Sequence, residues 1–298
     1  MKKLLLATTM LMTAGSYAAA DVSVSGDGRM GVVSTDGTTS FSSRMRIKFS
    51  GSGTTDGGLS FGGSFRAADV VGTADTGTGA VTGGTADTGD GAVSKPTNDG
   101  TSGSVYISGP FGKITMGDTG NAVDSLVSNV SAVGYGASSL DGAQELGLLD
   151  SADKEGVSYN LSISGATVEV GTGQLDGENE YYSVAVAYAF GGINAAIGYE
   201  SDAADTQTKA AFSAKVGPAT VKVALADRDS NADIGYAVSA DFAMAGAAVT
   251  AYYANDNADE ANMAVGVSYD LGGGAVFKSG VGTVDSDTVA DAGLNFSF

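Results

Sequence analysis

The chain has 298 residues with no cysteine, histidine or tryptophan, 46 glycines, and 34 acids against 15 lysines and arginines, a formal net charge of −19. These counts exclude zinc and haem sites of the usual kind, thiol or imidazole nucleophiles, and any disulfide scaffold. The acidic excess removes the electrostatic basis for binding nucleic acid, and no window past the N-terminus approaches the roughly 18 apolar residues of a membrane-crossing helix.

Residues 1–20 have the form of an export signal. Lys2 and Lys3 precede an apolar stretch from Leu4 to Ala14, and Ala18 and Ala20 form an A-x-A cleavage site ahead of Asp21. Removing the two lysines takes the charge to about −21. A chain exported to an oxidising compartment without cysteine must rely on hydrogen bonding and packing.

From there the sequence alternates with period two. Val22, Val24, Met30 and Val32 share one parity, with Ser23, Ser25, Asp27 and Arg29 on the other. Met45, Ile47 and Phe49 oppose Arg44, Arg46 and Lys48; Leu59, Phe61 and Phe65 oppose Ser60, Ser64 and Arg66. Val157, Tyr159, Leu161 and Ile163 continue the rhythm, followed by Tyr182 through Phe190, Val221 through Leu225, Met263 through Tyr269, and Leu294, Phe296 and Phe298. Strict alternation gives each strand one apolar face and one polar or small face. No stretch of ten residues carries a 3.6-residue pattern.

Short Gly/Pro turns (Gly109 to Gly112, Ser164-Gly165, Gly191-Gly192, Gly217-Pro218, Met244 to Gly246, Leu271 to Gly274) alternate with longer acidic connections. The latter are Thr172 to Glu180, Glu200 to Gln207, Ala226 to Asp233, Asn255 to Glu260 and Thr283 to Asp287. Short turns on one rim and longer loops on the other are the layout of an up-and-down outer-membrane barrel. Strand starts fall near 21, 40, 57, 102, 112, 155, 166, 181, 192, 207, 219, 233, 246, 261, 274 and 288, which makes sixteen. A soluble sandwich also has period two, but its outer face carries charge. Here that face is Ser, Thr, Gly and Ala with few Lys or Glu. The expected fold is therefore all-β, a 16-stranded antiparallel transmembrane β-barrel.

Two insertions interrupt the rhythm. Residues 67–100 are low-complexity Gly/Thr/Ala/Asp, expected as an external loop. Residues 118–153 hold Val123, Leu126, Val127, Val130, Val133, Tyr135, Leu140, Leu146, Leu148 and Leu149, so that loop should pack against something. In a barrel the place for it is inside. Arg29, Arg44, Arg46, Lys48 and Arg66 all fall on the polar parity of the first three strands, facing the lumen. On the lipid face each would cost about 2–4 kcal/mol at the midplane.

The residues Gly26-Asp27-Gly28-Arg29-Met30-Gly31, Ser42 to Ile47, Val123-Asp124-Ser125, Gly134 to Ser139, Asp141 to Gln144, Thr288 to Gly293 and the terminal Phe298 resemble the Gram-negative general diffusion porins. The similarity is to the Rhodobacter-type, α-proteobacterial outer-membrane porins. It implies a homotrimer of sixteen-stranded barrels in outer-membrane lipid and lipopolysaccharide, each with a water-filled pore narrowed by an inward-folded third loop. Carried over, that loop is 118–153, with Asp124, Asp141, Glu145 and Asp150 as the acidic side of the constriction and the five cations as the opposite wall. Such a transverse field aligns polar solutes. With no tryptophan, the interfacial girdle must rest on Tyr and Phe, and Tyr182, Tyr188, Tyr199, Tyr236, Tyr253 and Tyr269 on the outward parity are its candidates. Many inward positions are Ala or Gly, which reads as a smooth lumen with little specific binding.

No cofactor is expected, although loop carboxylates offer oxygen ligands for weak Ca²⁺ binding. Gly26 to Gly31 matches G-x-G-x-x-G, but no helix follows and no βαβ unit surrounds it. The expected function is passive diffusion of small hydrophilic solutes and ions, with mild cation preference from the acidic excess and no catalysis. The alternative is a plugged barrel acting as a structural or adhesive protein. A barrel enzyme lacks the histidine that usually activates its nucleophile.

Overall fold

The computed structural model describes residues 21–71, 103–149, 156–173, 181–256 and 261–298, and side chains in all of these but 68–71. The expected signal at 1–20 lies outside the described residues. Sixteen strands follow in chain order: β1 (Asp21–Thr35), β2 (Thr38–Thr54), β3 (Ser60–Val71), β4 (Ser104–Gly109), β5 (Gly112–Gly117) and β6 (Gly156–Ile163). Then come β7 (Ala166–Thr172), β8 (Tyr181–Phe190), β9 (Ile193–Asp202), β10 (Thr206–Val216) and β11 (Ala219–Arg228). The last are β12 (Gly235–Met244), β13 (Ala247–Asn255), β14 (Asn262–Gly272), β15 (Ala275–Val284) and β16 (Asp287–Ser297).

Every strand pairs antiparallel with its sequence neighbours, and β16 pairs with β1, so the sheet closes into a barrel. The seam runs in register from Thr35 opposite Val289 to Asp27 opposite Ser297. One further rung joins the ends: Gly26 N donates to Phe298 O at 2.6 Å, and Phe298 N to Gly26 O at 2.9 Å. Closure gives every strand a hydrogen-bonded neighbour on both sides, the condition for a sheet in a medium without hydrogen-bonding solvent.

The outward parity is apolar. Phe41 is 82% exposed, and Val22, Val24, Phe65, Val105, Ile197 and Val265 share that side. Aromatic pairs mark two levels on it. Tyr182–Tyr199 and Tyr236–Tyr253, with ring centroids 6.4 and 6.0 Å apart, lie toward one rim; Tyr188–Phe190, at 5.8 Å, lies toward the other. An apolar exterior banded by aromatics inverts the water-soluble pattern and matches a bilayer.

Three boundaries differ from expectation. β3 starts at Ser60 rather than near 57, because Thr55 Oγ1 accepts from Leu59 N at 3.0 Å and holds 55–59 in a turn. β3 also runs on to Val71, paired with β2 as far as Ser43, so 67–71 are strand and not loop; residues 72–102 lie outside the described residues. The connection expected at 283–287 is a tight turn at Asp285 and Ser286, with φ of 49° and 72°. Asp36 and Gly37 turn β1 into β2 the same way, with φ of 48° and 82°. Positive φ at both central residues matches the twist of the flanking strands.

Truncation after Ser297 removes the last rung of the seam. Two lost hydrogen bonds should cost about 1–3 kcal/mol. The heat-induced shift of the folded band on a gel should move to lower temperature; an unchanged transition would show that the seam does not limit unfolding.

Candidate functional site

The segment after β5 turns into the barrel. Asn121 caps a single helical turn, α1 (Ala122–Leu126), its Oδ1 accepting from Asp124 N at 2.6 Å. Val123, Val127 and Val130 follow at spacings of four and three, a local apolar face on one side of the turn and the coil beyond it. Ala122, Val123 and Val127 pack on Ala185 and Ala211 of the inner wall. Farther along, Val130, Val133, Leu140 and Leu146 pack on Ala224, Ala226, Ala237, Tyr252, Ala254, Ala264, Val284 and Val289.

The small inward residues of β8–β16, with Gly31 of β1, are thus the seat of this segment, and not the bare lumen wall that the sequence suggested. The clearest case is Tyr135, which is fully buried. A Cβ on Gly293 would stand 2.6 Å from its ring, and one on Gly31 would stand 3.0 Å away. Only glycine admits the ring at that distance.

Polar groups on the same wall fix the loop's backbone. Glu200, fully buried, accepts from Asn121 Nδ2 at 3.0 Å, Tyr181 OH at 3.1 Å, Gln207 Nε2 at 2.8 Å and Leu149 N at 3.1 Å. Lys209, also fully buried, donates to Leu146 O at 3.1 Å and to Asn129 Oδ1. Glu169 accepts from Ser125 Oγ at 2.8 Å, Asp241 from Ser131 Oγ at 2.7 Å, and Asp291 from Ser138 Oγ at 2.6 Å. None of these anchors was singled out from sequence. The signal available was a lone charge on the inward parity of an alanine-rich strand, as in Lys209-Ala210-Ala211.

The five predicted wall cations lie on β1–β3, where the loop reaches only β1, at Gly31 and Arg29. Register sets them on successive rungs: Arg29 opposite Arg44, Asp27 opposite Arg46, and Lys48 between Ser25 and Arg66. Asp27 is the missed member. Arg46 Nε donates to its two carboxylate oxygens at 2.8 and 3.0 Å, and Arg44 Nη2 lies 3.6 Å from it. One acid therefore sits among five cations.

Of the four predicted acids, Asp124, Asp141 and Glu145 are exposed on the loop, while Asp150 lies outside the described residues. Gly136 stands between loop and wall: the direction of its absent Cβ meets Asp141 Oδ2 at 3.1 Å and Arg29 Nη1 at 3.2 Å. Protein around Glu145 displaces part of its hydration and raises its carboxyl above the ordinary glutamate range, with Asp124 and Asp141 adding to the effect. Lys209 and a hydrogen bond from Asn129 pull the other way. Among the described residues no group of carboxylates is arranged to hold a metal ion.

Replacing Glu200 by alanine removes the one acceptor that four donors share in a buried site. The expected cost is about 3 kcal/mol or more. The loop should become sensitive to protease while the β-sheet circular dichroism persists; equal resistance in both proteins would mean that apolar packing alone holds the loop.

The Gram-negative porin family model matches residues 7–289. The porin of Rhodobacter capsulatus is 31% identical, covering 93% of this chain and all of its own length. Among solved structures, a porin refined at 1.8 Å is 29% identical with a TM-score of 0.73. A triple mutant of Rhodopseudomonas blastica porin, 24% identical, has a TM-score of 0.74 and shares the fold. Each of these structures is covered in full and covers 93% of this chain. With a family match and that identity over nearly the whole of a closed barrel, the chain belongs to the Gram-negative porins and is a diffusion channel of the outer membrane.

Proposed function

We propose that small hydrophilic solutes and ions cross through a constriction between the inward loop 118–153 and the β1–β3 wall. Arg29, Arg44, Arg46, Lys48 and Arg66 form its cationic side, and Asp124, Asp141, Glu145 and Asp150 its acidic side. The observation that carries this reading is the loop's one-sided seat. It covers the wall from β7 through β16 to Gly31 of β1 and leaves Lys48, Arg66, Asp124, Asp141 and Glu145 exposed within the barrel. A plugged lumen would bury them. The acidic excess favours cations weakly, because field lines concentrate in a narrow low-dielectric passage.

The same proposal includes a homotrimer. β4 and β5 have six residues each. At about 3.4 Å per residue and a tilt near 40°, such strands fall short of the roughly 25 Å apolar band. Neighbouring protein would cover that short side, and lipid and lipopolysaccharide the rest. Export by residues 1–20, cut after Ala20, completes the route to the membrane. No resident cofactor is assigned; rim carboxylates give Ca²⁺ only weak association.

Planar-bilayer conductance tests the proposal. Steps in groups of three with a slightly cation-selective reversal potential support it, and a folded barrel without conductance overturns it. Two variants test the constriction. Combined Arg44→Ala and Arg46→Ala should enlarge the conductance and, by freeing the Asp27 carboxylate, raise the cation-to-anion permeability ratio about twofold. An unchanged ratio would remove both arginines from the selectivity wall.

The pH dependence follows from Glu145. A carboxyl raised in the fold takes up its proton first as pH falls, so its charge disappears above the pH at which ordinary glutamates titrate. Cation preference should therefore begin to fall in that higher range. In Glu145→Gln that early step should be missing from a pH series of reversal potentials.

A further inference from the structure

Charge is distributed unevenly along the barrel axis as well as across it. At the rim that carries the longer connections, Asp36, Asp229, Asp233, Asp256, Asp285 and Asp287 are all exposed. The described cations in that half are two, and both are engaged. Arg228 donates to Gln207 Oε1 at 2.9 Å and lies 3.9 Å from Asp205; Lys209 is fully buried. Among the described residues the loop mouth is thus a ring of carboxylates without free counter-charge.

The other half has the opposite composition. Lys113, Lys215, Lys222 and Lys278 each occupy the inward parity of a strand close to a short turn. They come from three parts of the barrel: β5, the adjacent pair β10 and β11, and β15. Lys113 Nζ rests 4.6 Å from the centroid of the Tyr106 ring, which holds it against the inner wall. Asp21 and Asp56 at the turn rim and Asp241 and Asp270 on the inner wall share this half, where Asp241 accepts from Ser131 and Thr250 and Asp270 from Gly272 N, and the four lysines together with the β1–β3 cations outnumber them. With the β1–β3 cations just above, every described lysine and arginine except Lys209 and Arg228 lies from the barrel's middle to the turn rim.

We propose that this bipolar lumen makes the channel rectify, conducting better when the loop side is positive than when it is negative. The acidic mouth gathers cations and the lysine mouth gathers anions. With the loop side positive, both enter through the mouth that favours them and accumulate in the middle. With the opposite sign both are drawn out, and the middle is depleted. Four inward lysines that belong to neither side of the constriction become determinants of ion flow. The proposal rests on the open-channel reading above.

The test is the current–voltage relation of single channels in about 0.05 M and about 1 M salt, where screening lengths fall from well over 10 Å to about 3 Å. Orientation is read from Ala232→Cys, an exposed loop-side position in a chain without cysteine, using an impermeant charged thiol reagent added to one compartment. In low salt the conductance with the loop side positive should be about twice that with the opposite sign, and the ratio should approach one in high salt. The combined variant Lys113→Gln, Lys215→Gln, Lys222→Gln and Lys278→Gln should bring the low-salt ratio close to one while still conducting in high salt. A symmetric relation in wild-type protein at low salt, or rectification of the opposite sign, overturns the proposal and leaves the channel standing. Absence of conductance in both salts overturns the channel reading and the proposal together.

Discussion

A backbone that crosses hydrocarbon must satisfy every N–H and C=O within itself, and the rest of this structure follows from that requirement. The sheet closes at β1 and β16, down to the rung between Gly26 and Phe298. Closure commits one parity of all sixteen strands to lipid and the other to an enclosed space. Because lipid takes the apolar side chains, the interior is left polar, and a segment folding into it finds no ready-made hydrophobic core. The chain supplies one locally. Ala185, Ala211, Ala224, Ala237 and Ala254 interrupt the polar lining where Val123, Val127, Val133 and Leu146 come to rest.

Apolar packing alone would leave the loop free to slide over a surface of similar alanines. Glu200, Lys209, Glu169, Asp241 and Asp291 remove that freedom, since each accepts from or donates to named atoms of the loop. Buried charges are poor sources of net stability, because their desolvation offsets most of what they gain. Their value here is specificity of position. Glu200 joins both ends of the inward segment, Asn121 and Leu149, to one carboxylate. Holding loop position in this way keeps the width of the lumen constant.

The barrel was legible in the sequence because period two is a local signal repeated sixteen times, so errors at single residues do not accumulate. Where it failed, a local contact had intervened, as with Thr55 and Leu59 or the tight turn at Asp285 and Ser286. The wall cations were legible for the same reason: parity alone assigns Arg44 and Arg46 to the lumen. Asp27 has that parity too, yet nothing in sequence places it opposite Arg46, because register depends on the turn at Asp36 and Gly37. The loop's anchors were not legible at all. The bonds from Asn121 to Glu200 and from Ser138 to Asp291 span 79 and 153 residues, and no spacing rule reaches across such distances.

Asp27 also explains how so many cations share one stretch of wall. Arg29, Arg44, Arg46, Lys48 and Arg66 occupy three adjacent rungs, and like charges about 4 Å apart repel by roughly 4 kcal/mol at an effective dielectric of 20. Left alone, they would splay into the lumen along different directions. Asp27 takes Arg46 in a forked hydrogen bond and attracts Arg44 from the neighbouring rung, which fixes both guanidinium groups against the sheet. The acid lowers the wall's total charge by one and makes the remaining charge stationary. A fixed array does not reorganise, so the field it presents inside the barrel is constant. A wall with more positive charge and no Asp27 would be a stronger attractor for anions and a less constant field.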